Sequence, residues 1–91
     1  MTFAEKLNKL RTQAGKSRYR LAQYSGIDEA YILGLERGVR SNPSRDVVLM
    51  LGLAIVESSD SVGVYDIDEL LLSAGYAPFR RRGNPYVTSL R

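Results

Sequence analysis

An all-α fold, a compact bundle of five short helices, is predicted by two features of this 91-residue chain. Apolar residues recur at steps of three and four, and residues that cap or stop helices sit between the runs. The length suits one domain with a modest core. The absence of both Cys and His removes disulfides, thiol nucleophiles, His general bases and nearly every zinc or haem site. No metal and no cofactor are expected, and the lack of cysteine fits a reducing compartment.

The elements follow in order. Thr2-Phe3-Ala4-Glu5 reads as a capping box. Phe3, Leu7, Leu10 and Ala14 then form one helical face, with Gly15 as the stop. Ser17 caps a second helix over 18–25, with Leu21 inward and Gly26 at its end. Asp28 caps a third over 29–37, where Tyr31, Ile32 and Leu35 are the apolar face and Gly38 the stop. Val39 to Pro43 reads as a loop. Ser44 caps a fourth helix reaching about Val56, and a loop runs from Glu57 to Tyr65. Asp66-Ile67-Asp68-Glu69 reads as the acidic start of a fifth helix. Ile67, Leu70, Leu71 and Ala74 form its inner face, and Gly75 and Pro78 close it. In the remainder, Tyr86-Val87-Thr88 has some strand propensity, but a mobile end is the safer expectation.

Net charge is only +3, yet it is strongly segregated. Residues 1–45 hold nine bases and four acids, residues 46–78 hold six acids and no base, and residues 79–91 hold four arginines and no acid. One end is therefore suited to a polyanion and the middle is not. The longest apolar run, Val47 to Val56, is ten residues, against about 20 for a membrane-spanning helix. With no signal-peptide pattern at the N-terminus, a soluble, cytoplasmic protein that does not engage membranes is expected.

The segment from Arg18 to Leu35 has the spacing of two short helices crossing steeply. Ala22 is small where they would touch, Gly26 can take positive φ in the turn, and Ile27, Ile32 and Leu35 would lock the second helix on the first. This is a helix-turn-helix arrangement. The chain here resembles the Cro/C1-type (XRE) helix-turn-helix family of transcriptional regulators. The resemblance runs from about Phe3 to Val56. It rests on Leu7, Leu10 and Arg11, on Ser17-Arg18, Leu21-Ala22 and Gly26-Ile27, and on Tyr31-Ile32, Leu35-Glu36-Arg37-Gly38, Asn42-Pro43 and Leu51.

The resemblance implies the lambda-repressor-like five-helix DNA-binding fold. It would occupy residues 1–78, with the helix-turn-helix at 18–37 and helices four and five within 45–75, followed by a basic tail over 79–91. It also implies an Arg11–Glu36 ion pair that holds the scaffold, and double-stranded DNA as partner. The third helix would lie in the major groove with its N-terminal part on base edges. Asp28, Glu29, Ala30, Leu33, Gly34 and Arg37 are the base-reading candidates. Of these only Glu29 and Arg37 offer strong polar readout, and Gly34 has no side chain where the family often carries a polar reader. Base specificity is therefore expected from few contacts and partly from DNA shape. Asp28 and Glu29 have a second role as N-cap and first-turn acid. Ser17, Arg18, Tyr31, Arg40, Ser41, Asn42 and Arg45 are the phosphate candidates; Arg18 stands where the family more often has Gln.

Met50 and Leu53 give the fourth helix more apolar surface than one face needs. Either the fifth helix covers them, or they form a homodimer seam with Leu71, Leu72 or Tyr76. A two-fold dimer would match a pseudo-palindromic operator. Arg80-Arg81-Arg82 is either a DNA-contacting arm or a solvated tail. The expected function is thus a repressor-like homodimeric DNA-binding regulator. The alternative is an antitoxin that binds a protein toxin and regulates itself through DNA. An enzyme is not expected, because no phosphate-binding loop or catalytic constellation is present.

Overall fold

The computed structural model describes residues 1–57 and 59–78. Among them are five helices and no strand: α1 (Phe3–Gln13), α2 (Arg18–Ser25), α3 (Glu29–Arg37), α4 (Arg45–Glu57) and α5 (Val64–Ser73). The basic tail expected over 79–91, with its arginine run and Tyr86-Val87-Thr88, lies outside the described residues.

The first four helices begin where a side chain satisfies one of their first free N–H groups. Thr2 Oγ1 accepts from the Glu5 backbone N–H at 3.2 Å, and Glu5 Oε1 accepts from the Thr2 N–H at 2.9 Å. Ser17 Oγ accepts from Arg20 N–H at 3.1 Å, Asp28 Oδ2 from Ala30 N–H at 3.1 Å, and Ser44 Oγ from Val47 N–H at 3.2 Å. The fifth helix departs from expectation. It starts at Val64, and Asp66 sits in its first turn, where Oδ2 reaches back to accept from Gly63 N–H at 2.8 Å. Asp66 thus serves the start of α5 from inside the helix, which moves that start two residues earlier.

The core holds Leu7 and Leu10 of α1, Leu21 of α2, and Ile32 and Leu35 of α3. From α4 come Val48, Leu51, Ala54 and Ile55, and from α5 Ile67, Leu70 and Leu71. These are the faces that three- and four-residue spacing marks out, and their burial is the main force holding the helices together. Val62 also enters the core, at 3% exposed, although its segment reads as a loop. Periodicity cannot detect a single apolar residue anchoring a connection. Helix α4 packs on both α5 and α2, while α1 bridges α3 and α5. A Cβ added at Gly52 of α4 would stand 3.3 Å from both Ile67 γ-carbons, so the missing side chain lets α4 and α5 approach closely.

Polar ties complete the frame. Lys6 Nζ lies 2.6 Å from Glu69 Oε1 and joins α1 to α5. The Tyr76 hydroxyl donates to the Pro43 carbonyl at 2.7 Å. Lys16 is buried, and its ammonium donates to the carbonyl of Ala54 and, at 3.4 Å, to that of Ile55. A cation there meets the negative end of the α4 dipole.

The proposed seam residues separate into two groups. Leu71 is fully buried in the core, and half-buried Tyr76 is engaged with Pro43, so neither offers the surface expected of it. Met50 (43% exposed), Leu53 (59%) and Leu72 (56%) remain open. α5 therefore does not cover Met50 and Leu53, because its inner face is filled by Ile67, Leu70 and Leu71. No helix among the described residues is long and apolar enough to cross a membrane.

Candidate nucleic-acid interface

The α2–α3 pair is held at its turn and at its far end. At the turn, Gly26 takes φ 76°, a left-handed conformation that a side chain would resist, and its N–H bonds to the Ala22 carbonyl. Buried Ser25 accepts from the Ile27 N–H at 3.1 Å. Asp28 then caps α3.

At the far end of α3, Glu36 gathers four donors. Arg11 Nε lies 2.6 Å from Oε2 and Arg11 Nη2 is 3.1 Å from Oε1. Asn8 Nδ2 and Arg18 Nε each lie 2.9 Å from Oε1. Arg11 also donates through Nη1 to the Lys16 carbonyl at 2.8 Å. The Glu36 side chain is only 2% exposed and that of Arg11 9%. Burial pushes the Glu36 carboxyl up, but the hydrogen bonds from Arg11 and Asn8, the Arg11 charge and the Arg18 bond outweigh it. Together they hold its pKa below the ordinary value. One carboxylate thus fastens α1, α2 and α3 together.

This arrangement sorts the basic residues. Arg11 and Lys16, counted with the basic half of the sequence, are turned inward and spent on the scaffold. Arg18, with 37% of its side chain exposed, gives Nε to Glu36, while its terminal nitrogens have no acceptor among the described residues. Arg20, Arg37, Arg40 and Arg45 are exposed. Ser17 lies at the N-terminus of α2, and Ser41 and Asn42 in the loop after α3. Ser17, Ser41 and Asn42 are all exposed, and Asn42 has φ 55°.

Along α3, Glu29, Ala30 and Arg37 are exposed and Leu33 is half-buried. Two base-reading candidates have other tasks. Asp28 Oδ2 accepts from both Ala30 and Tyr31 N–H, at 3.1 and 3.4 Å, so that carboxylate is committed to its own helix. Gly34 is not an open position. The chain turns back after Gly38, the Arg40 N–H donates to the Gly34 carbonyl at 3.0 Å, and the Arg40 side chain lies across Gly34. A Cβ at residue 34 would be 2.7 Å from Arg40 Cγ. The Arg40 guanidinium lies over the ring of half-buried Tyr31, 5.7 Å from its centroid. Arg40, expected to grip phosphate from a loop, is thus laid back on α3. Spacing alone gives no sign of this, because it depends on how the loop folds.

Among the described residues no cluster of His, Cys, Asp and Glu could hold a metal ion. Residues 7–52, from within α1 to within α4, match a family described as helix-turn-helix. No curated protein matches the chain, and no solved structure does.

Proposed function

The chain belongs to the Cro/C1-type (XRE) helix-turn-helix family of DNA-binding transcription regulators, and from that premise we propose that it acts as a repressor-like homodimer with α3 in the major groove. The observation that carries this reading is the division of labour on α2 and α3. Their inner residues and Glu36 fix the two helices, while Glu29, Ala30 and Arg37 stand uncovered on α3. Glu29 suits the amino group of cytosine N4, Arg37 suits guanine or phosphate, and Ala30 and Leu33 suit a thymine methyl.

The α2 N-terminus points its free N–H groups and positive dipole end toward a phosphate, joined by Ser17 and the free edge of Arg18. Ser41, Asn42 and Arg45 serve the opposite strand, with the Tyr31 hydroxyl as a further donor. With so few base readers, part of the specificity comes from DNA shape. Exposed Met50, Leu53 and Leu72, on the adjoining helices α4 and α5, are the surface for a second copy. Residues 46–78 contain no base, which suits a face held away from DNA.

Selection of bound sequences from random duplex DNA at several salt concentrations tests the proposal. The expected result is a two-fold related site with half-sites about one helical turn apart and short, discontinuous base preferences. Strong preference at many contiguous positions would refute the shape component, and absence of any selected sequence would refute major-groove reading.

A further inference from the structure

We infer that Arg40 is a specificity-determining residue, reading guanine in the major groove from a perch on α3. This rests on the groove placement of α3 proposed above. Three features fix the perch. The Arg40 backbone N–H is bonded to the Gly34 carbonyl. Its aliphatic stem occupies the space a side chain at residue 34 would fill. Its guanidinium lies over Tyr31, one turn nearer the N-terminus of α3.

The side chain therefore runs from the loop back along α3, toward the end that meets base edges. Beyond its contact with the Tyr31 ring it forms no hydrogen bond or ion pair among the described residues, and Arg40 is exposed. Its donors are thus available to a ligand.

A loop arginine reaching for phosphate would gain little from being fixed in this way, because phosphate is a tolerant target. A base edge is not. The planar fork of arginine matches O6 and N7 of guanine through two parallel hydrogen bonds. Holding the stem and the guanidinium in place beforehand lowers the ordering cost of that contact. Gly34, which offers no reader of its own, creates the room for Arg40 to supply one.

The test is base preference measured by selection and by competition binding for wild type, Arg40→Lys, Arg40→Ala and Gly34→Ala. Wild type should prefer guanine at one position per half-site. Arg40→Lys keeps the charge and should keep the salt dependence, but should lose that preference by about ten-fold. Arg40→Ala should lose it as well. Gly34→Ala places a methyl group where the Arg40 stem lies, and should weaken the preference although Arg40 is intact. Alanine favours helix, so helicity by circular dichroism should not fall; if it does, the two Arg40 variants decide alone. If wild type selects a site but Arg40→Ala lowers affinity equally for every sequence, Arg40 is a phosphate contact and the inference is wrong. If wild type selects no sequence, the groove placement of α3 fails first.

Discussion

Arg18 Nε lies 2.9 Å from Glu36 Oε1, the same oxygen that receives Asn8 and one nitrogen of Arg11. A residue at the first position of α2 is thereby moored to the ion pair joining α1 to α3. The mooring uses Nε and leaves the terminal nitrogens without an acceptor among the described residues. Arg18 is thus both a minor member of the scaffold and a preset donor for phosphate.

Replacing Arg18 by Ala should therefore affect binding more than folding. The side chain is more than a third exposed, so solvent screening limits its stabilising effect to under about 1 kcal/mol. Affinity for all DNA sequences should fall together, and the slope of log affinity against log salt should drop by about one. Fluorescence anisotropy with specific and random duplexes at a series of salt concentrations measures both. An unchanged slope would show that Arg18 does not meet phosphate.

Glu36→Ala should have the opposite profile. It leaves Arg11 buried without its counter-charge, and breaking one side of such a pair costs about 3–5 kcal/mol. Urea unfolding should show a midpoint well below that of wild type. Loss of DNA binding should follow loss of folded protein.

The same carboxylate makes a pH prediction. Its folded pKa is held below the ordinary value of 4.5. The folded state therefore binds the proton less readily than the unfolded chain does. The stability Glu36 contributes is complete above about pH 5, and is lost as pH falls through the folded pKa. The gap in unfolding free energy between wild type and Glu36→Gln should be constant from pH 7 to about pH 5 and narrow below that. Comparing the two proteins cancels Glu5 and Glu69, whose carboxyls are also lowered by their own partners. A gap that widens in acid would contradict the assignment.

Lys16→Met separates buried charge from surface charge. The variant leaves the Ala54 and Ile55 carbonyls without the donor they have in the wild type, a cost of about 1–3 kcal/mol. Since the ammonium is turned inward, the salt dependence of DNA binding should match wild type. A reduced slope would mean that Lys16 faces the nucleic acid.

Met50→Gln with Leu53→Gln probes the open apolar surface. Both residues are exposed, so monomer stability should change by no more than about 0.5 kcal/mol each. Sedimentation should show a dimer for wild type and a monomer for the double variant. A wild type that remains monomeric at high concentration would remove the homodimer from the proposed function. Leu51→Ala, one position away but fully buried, should instead cost about 2–5 kcal/mol.

The sequence by itself determined the helices, their caps at Thr2, Ser17, Asp28 and Ser44, and most of the inner faces. It also determined the helix-turn-helix around Gly26. These depend on contacts within three or four residues, which spacing displays directly. Tertiary structure decided what depends on the rotation of one helix against another and on the path of loops. It left Met50 and Leu53 of α4 uncovered by α5, a choice that spacing leaves open. It drew Val62 into the core. It turned Lys16 away from the basic surface to which charge counting assigns it, since its acceptors are the Ala54 and Ile55 carbonyls of a distant helix. It also laid Arg40 across Gly34, because a loop that folds back meets a helix position with no side chain to exclude it.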